Sequence, residues 1–155
     1  MLVKIRVNGR DIAINARGNE RLLDTLRGAG MKSVKEGCSV GECGSCNVIV
    51  NGKLVSSCMM LTIQAHGAEI TTCEGLGREG ALHPLQKAFA DAGVPQCGYC
   101  IPGVLMTAKY YMDGHPRPQV DEIRALLEGN ICRCGAYTKI TQGILAASSH
   151  PRNEL

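Results

Sequence analysis

Tryptophan is absent from the 155 residues, phenylalanine occurs once and tyrosine four times. The core must therefore be aliphatic, and there is no row of rings on which unpaired bases could stack. The formal charge of +3 is spread along the chain and not gathered into a basic block, which speaks against nucleic-acid binding. No run approaches the ~20 consecutive apolar residues of a membrane span. Met1 to Asn15 alternates apolar and polar residues and lacks both the apolar core and the small-residue cleavage site of an export signal. These absences lead to the expectation of a cytoplasmic, reducing setting with no membrane span.

What is abundant is glycine, at nineteen, and cysteine, at nine. In a reducing compartment an odd number of cysteines favours metal binding over a disulfide framework. The length suits one domain or two small ones, and each of two would be near the size at which a metal staple helps a marginal core.

Val3, Ile5 and Val7 alternate with Lys4, Arg6 and Asn8, and the alternation resumes at Ile12 and Ile14 after Asn8-Gly9, which predicts a hairpin with a tight turn. Leu22, Leu23 and Leu26 share a helical face, with Asn19 as the expected cap and Gly28 and Gly30 as the stop. From Ser33 to Ser45 there is no periodicity, only glycines among cysteines, so a cofactor loop is expected. A second hairpin turns at Asn51-Gly52, and Ile70-Thr71-Thr72 has strand character. Gly75, Gly77 and Gly80 then mark a connection, which places the boundary between a domain over 1–77 and another over 78–155. Beyond it the pattern is helical, over 83–92, 102–112, 121–128 and 138–148. The prolines at 116 and 118 require a loop between the second and third helices. The remaining cysteine pairs fall at helix junctions.

Cys38-x4-Cys43-x2-Cys46 followed by Cys58 has the plant-type [2Fe–2S] spacing. Such a cluster takes four thiolates and carries negative charge. Gly37, Gly41 and Gly44 can adopt the positive φ that lets a loop wrap closely and aim amides at sulfur. A zinc site would also use four thiolates, but usually from two compact knuckles, whereas here three cysteines crowd one loop. Cys97-x2-Cys100 with Cys132-x-Cys134 is less specific, and alone it is compatible with a cluster, with zinc or with a redox dithiol.

Gly41-Glu42-Cys43-Gly44-Ser45-Cys46, Glu74-Gly75-Leu76, Gln96-Cys97-Gly98-Tyr99-Cys100 with Pro102-Gly103, and Gly129-Asn130-Ile131-Cys132-Arg133-Cys134 occur in one order. In that order they resemble the iron–sulfur subunit of the xanthine oxidase family of molybdenum hydroxylases, over about residues 3 to 148. The resemblance implies an α+β chain: a β-grasp plant-type ferredoxin domain, then a four-helix domain with its own [2Fe–2S] cluster. It implies an electron-transfer role beside a large molybdopterin subunit and usually a medium FAD subunit. It also implies that Gln96 and Cys134 touch the pterin, and that electrons pass from molybdenum to the C-terminal cluster, then the N-terminal cluster, then flavin or another acceptor, with the reverse order in a reductive member. The chain departs from the family at Gly135-Ala136, where the pattern usually reads Thr-Gly.

No nucleophile–base pair or carboxylate dyad stands at a recognisable spacing, so the catalytic site is expected in another subunit of the oxidoreductase. Cys73, the ninth cysteine, reads as a small buried hydrophobe in a strand-like run. His66, His83, His115 and His150 read as surface or cap residues. Arg133, between two ligands, reads equally as a solvated charge or as a stabiliser of a reduced cluster. A free two-cluster carrier and a zinc-stapled interaction module are the competing readings; the first would elute alone and the second would be colourless.

Overall fold

A computed structural model describes residues 1–78 and 80–149. Alternation decides its first element: in β1 (Leu2–Val7) the residues Val3, Ile5 and Val7 are buried while Leu2, Lys4 and Arg6 face outward. β2 (Arg10–Asn15) returns antiparallel with Arg10 opposite Val7. Asn8 and Gly9 have φ of 50° and 78°, the two left-handed values that a type I′ turn needs. The same device joins β3 (Asn47–Val50) to β4 (Lys53–Ser56), where Asn51 and Gly52 have φ of 47° and 75°. β5 (Glu69–Thr71) lies between them, giving the order β2-β1-β5-β3-β4, with β5 parallel to β1 and antiparallel to β3.

α1 (Leu22–Gly28) buries Leu22, Leu23 and Leu26 against one face of this sheet. Its cap differs from the expected Asn19. Arg21 is the flanking residue, held extended at φ −74° and ψ 144°, because Leu22 N–H donates to Met60 O at 2.8 Å and fixes the entry. Thr25 Oγ1 donates to Glu20 Oε1 at 2.6 Å, so Glu20 binds the first turn from outside.

Apart from α1 and short 3-10 turns, the strands precede the helices, which makes the chain α+β. After the sheet come α2 (Pro84–Asp91), α3 (Ile101–Gly114), α4 (Val120–Leu126) and α5 (Tyr137–Ser148). His83 caps α2, accepting from Leu85 N–H at 3.2 Å, while His83 N–H donates to Gln86 Oε1 at 2.9 Å. The single phenylalanine, Phe89, is 2% exposed, and a Cβ at Gly143 would stand 2.8 Å from its ring. Only glycine at 143 lets α2 and α5 close over that ring. α3 extends two residues past the expected end, to Gly114, and His115 stacks on Tyr111 with ring centroids 4.4 Å apart. α4 stops at Leu126 because the chain tightens into a 3-10 turn at Leu127–Gly129. His66 accepts from Lys4 N–H on the surface, and His150 lies outside the described residues.

A second apolar core runs from Leu76 to Ala147, and Ile49 and Leu54 of the sheet pack against it. α3 therefore lies on β3 and β4, and the segments around the two cysteine groups are brought together. Cys73 begins a 3-10 turn, not a strand; it is half-buried against the helical core, where Gln86 Nε2 donates to its carbonyl at 3.1 Å. Burial raises its thiol pKa.

Glu74, in the same turn, accepts from Ser33 N–H at 2.8 Å, from Ser33 Oγ, and from Thr72 Oγ1 at 2.6 Å. This ties the start of the first cysteine segment to the end of the sheet. Burial raises the carboxyl pKa, but hydrogen bonds from Ser33 and Thr72 outweigh that and leave it below the ordinary value. A depressed carboxyl stabilises the fold above the unfolded glutamate value, about 4.3, and loses that contribution as pH falls through the folded value. Because the group keeps partial contact with water, the contribution is below about 1 kcal/mol. Glu74→Gln is expected to lower the unfolding midpoint at pH 7. The gap to the native chain should hold from pH 7 down to about 5 and narrow as pH falls below the unfolded value of about 4.3; a gap that does not narrow below that value would contradict it.

Candidate functional site

The first cysteine loop folds back on itself through three left-handed residues: Ser39 at φ 58°, Gly41 at 83° and Gly44 at 69°. Gly41 and Gly44 act as expected. Gly37 does not take a positive φ, yet it has no room for a side chain, since a Cβ there would stand 2.6 Å from Cys43 Sγ. Ser39 is the turn residue that the glycine pattern does not reveal. The turn aims backbone N–H groups at sulfur: Val40, Glu42 and Cys43 donate to Cys38 Sγ at 3.5, 3.3 and 3.4 Å, and Cys38 donates to Cys43 Sγ at 3.4 Å. The Val40 N–H, then that of Cys43, lowers the Cys38 thiol pKa to about 7.

Arg21 holds this loop from outside. Its guanidinium pairs with both Asp24 carboxylate oxygens at 2.8 Å and reaches Glu36 Oε1 at 2.8 Å and Ser39 Oγ at 3.1 Å. The bidentate fork suits arginine, and the contact to Ser39 steadies the residue with the costly φ.

Cys38, Cys43, Cys46 and Cys58 come together, as do Cys97, Cys100, Cys132 and Cys134, whereas Cys73 joins neither set. Within each set the thiols pair two by two: Cys38 with Cys43, Cys46 with Cys58, Cys97 with Cys134, and Cys100 with Cys132. One pair of each set is the more accessible, half-buried for Cys38 with Cys43 and exposed for Cys97 with Cys134, and the other is buried, Cys46 with Cys58 and Cys100 with Cys132. Burial, before the facing thiol, raises Cys58 to about 11 and Cys100 to about 12. In Cys97 the Tyr99 N–H leads the lowering.

Two thiolates to each of two irons is the donor set of a binuclear cluster. Four thiols, inward amides and a glycine with no room for a Cβ beside sulfur therefore fit a [2Fe–2S] group at the first set. The second set offers the same paired thiols at the junctions of α2 with α3 and of α4 with α5.

Around Cys134 the departure from the family pattern resolves locally. Gly135 takes φ 71°, Ala136 N–H donates to Cys132 Sγ at 3.5 Å, and Cys132 N–H donates to Tyr137 Oη at 2.8 Å. Gln96 and Arg133 are exposed.

The two loops also touch each other, which spacing alone does not show. Ile131 N–H donates to Cys43 O at 3.0 Å, and Tyr99 Oη donates to Glu36 O at 2.5 Å. Side chains added at Gly44 would strike Gly129 O and Asn130, and one added at Gly103 would strike Gly44 O. Asn130 is 2% exposed, wedged at this junction.

Two family models match consecutive parts of the chain, a 2Fe-2S iron-sulfur cluster binding domain over residues 5–76 and a [2Fe-2S] binding domain over 72–145. The nicotinate dehydrogenase small FeS subunit of Eubacterium barkeri is 48% identical over 139 residues, 89% of this chain and 88% of that protein. The xanthine dehydrogenase iron-sulfur-binding subunit of Escherichia coli O157:H7 is 41% identical over 146 residues, 92% and 91% of the two. Among solved structures, quinoline 2-oxidoreductase from Pseudomonas putida 86 superposes with a TM-score of 0.92 at 36% identity, over 96% of this chain and 93% of that one. An aldehyde oxidoreductase from Desulfovibrio desulfuricans ATCC 27774 gives 0.90 at 36% identity, with 95% of this chain covering 17% of that longer one. Relatives that align across both halves disfavour a lone ferredoxin or a zinc module. The chain belongs to the iron–sulfur small subunits of the xanthine oxidase family of molybdenum hydroxylases, which transfer electrons and leave catalysis to a larger partner.

Proposed function

We propose that the chain relays electrons between a molybdopterin centre in a large subunit and FAD in a medium subunit, or another acceptor, through two [2Fe–2S] clusters. Cys38, Cys43, Cys46 and Cys58 hold one cluster in a ferredoxin domain over 1–77. Cys97, Cys100, Cys132 and Cys134 hold the other in a four-helix domain over 78–155. The clusters supply one-electron redox chemistry when bound.

The chain's own residues set the conditions. Thiolates of the more accessible pairs, Cys38 with Cys43 and Cys97 with Cys134, bring each site close to a protein surface. The inner pairs exclude water. Amides of Val40, Glu42 and Cys43 point at Cys38 Sγ and stabilise negative charge there. Gln96 and Cys134 are both exposed in the helical half, and Gln96 adjoins Cys97, whose thiol pairs with Cys134, which suits contact with the pterin; the first loop then faces the flavin partner. The observation that carries the reading is the contact between the two cysteine loops, where Ile131, next to Cys132, donates to the carbonyl of Cys43. A relay needs its two centres adjacent and fixed.

A cytoplasmic complex is the setting proposed; among the described residues no helix is long and apolar enough to cross a membrane. Metal and sulfide analysis of the purified chain or complex tests the reading. About four irons and four sulfides per chain are expected, as two such clusters require, with two distinct EPR signals on reduction. Stoichiometric zinc at either site would sink it.

A further inference from the structure

Among the described residues, hydrogen bonds of different kinds join the two halves close to the cysteine loops, and three of them lie nearest the ligand sets. Ile131 N–H to Cys43 O is backbone to backbone. Tyr99 Oη to Glu36 O comes from a side chain that is 48% exposed, where water competes with it. The third is buried: Asn47 Nδ2 donates to Thr107 Oγ1 at 3.0 Å, with Asn47 8% and Thr107 3% exposed.

This third bond belongs to a chain. Ser56 Oγ donates to Asn47 Oδ1 at 3.1 Å, and Thr107 Oγ1 donates to Gly103 O at 3.0 Å. The Ser56 donor fixes which end of the Asn47 amide faces Thr107, and the Thr107 hydroxyl proton is committed to Gly103, leaving its lone pair for Asn47. Asn47 follows Cys46 directly, Ser56 is two residues before Cys58, and Gly103 is three residues after Cys100 and rests against Gly44. The chain thus runs from beside one ligand set to beside the other.

We propose that the Asn47–Thr107 hydrogen bond is a positioning lock, fixing the separation of the two cluster loops and thereby the exchange of electrons between them. The inference rests on the ligand assignment made above. Around the lock the contact is aliphatic, with Ile49 and Leu54 against the helical core, and apolar surfaces tolerate small slides. A buried donor–acceptor pair does not, because a displaced partner is left unsatisfied out of reach of water. Transfer between clusters held there would break no bond, so its rate would depend on the separation that these residues hold.

Thr107→Val keeps the shape and removes the hydroxyl; Thr107→Ser restores it. In the assembled complex reduced with dithionite, the spin–spin splitting between the two clusters is the readout, together with hydrogen exchange of the segment containing Ile131. In Thr107→Val with full iron and sulfide content, the splitting should broaden and the Ile131 segment should exchange about tenfold faster, the size expected for an unsatisfied buried group. Thr107→Ser should return both to native values. A Thr107→Val that only lowers the unfolding midpoint, with native splitting and native exchange, overturns the proposal and leaves Thr107 a packing residue. If Thr107→Val yields no folded protein, Ser56→Ala decides in the same way: a smaller broadening supports the lock, and unchanged splitting and exchange refute it. Failure of the ligand assignment itself would be seen separately, as wrong iron or sulfide content in the native complex.

Discussion

Cys100→Ser is expected to halt electron flow at molybdenum, whereas Cys43→Ser is expected to let it proceed one cluster further and then starve the flavin. Both replacements remove a thiolate from a paired donor set, but from different sets. Cys100 is buried with Cys132 at the helix junction, in the half proposed to face the pterin. Cys43 lies in the loop proposed to face the flavin, and its sulfur accepts from Cys38 N–H at 3.4 Å. Serine is a harder, more basic donor that does not ionise near neutrality, so a cluster needing four thiolates should fail to assemble or lose stability at that site. Rapid-freeze EPR of assembled complexes mixed with reducing substrate follows both signals in time. Cys43→Ser should show the C-terminal signal alone, with turnover to the flavin lost. Cys100→Ser should show neither signal on the native time scale. If the N-terminal signal appears at full rate after the C-terminal cluster is removed, the series order is wrong.

The same two sets show how far the sequence reaches. Both type I′ hairpins were legible because Asn-Gly at 8–9 and at 51–52 has one favoured backbone answer, and the structure gives left-handed values at all four residues. The grouping of eight cysteines, with Cys73 outside, followed from spacing and resemblance. The start of α1 was misplaced because the tertiary hydrogen bond from Leu22 to Met60, not a local cap, sets it. Ser39 escaped because left-handed serine carries no local signature and here leans on Arg21, eighteen residues earlier. The docking of the two halves was the least legible feature. Asn47 and Thr107 are sixty residues apart, and neither is conspicuous in a strand or a helix read alone. Their pairing exists only once α3 is laid on β3, so it belongs to packing and not to pattern.

Gly44→Ala should be far more damaging than Gly98→Ala, although the two positions look alike along the chain. Each follows the first cysteine of a Cys-x2-Cys pair, and each takes a left-handed φ, 69° at Gly44 and 79° at Gly98. Alanine in that conformation costs roughly 1–2 kcal/mol at either place. The surroundings differ. A Cβ at Gly98 meets nothing within 4 Å, whereas one at Gly44 runs into the carbonyl of Gly129 and the amide of Asn130. A backbone carbonyl cannot swing aside as a flexible side chain would, and Asn130 is already buried, so relief requires the helical half to move away from the sheet. Overpacking of this kind adds about 1–3 kcal/mol to the strain. At roughly 2–4 °C per kcal/mol for a chain of this size, Gly44→Ala should melt several degrees below Gly98→Ala. The displacement should also show where strain alone would not: exchange protection at Ile131 should fall in Gly44→Ala and stay native in Gly98→Ala, because Ile131 N–H reaches across to Cys43, the neighbour of Gly44. Equal melting temperatures for the two variants would mean that the loops yield to each other, and that the close approach at Gly44 does not hold the two cysteine loops in place.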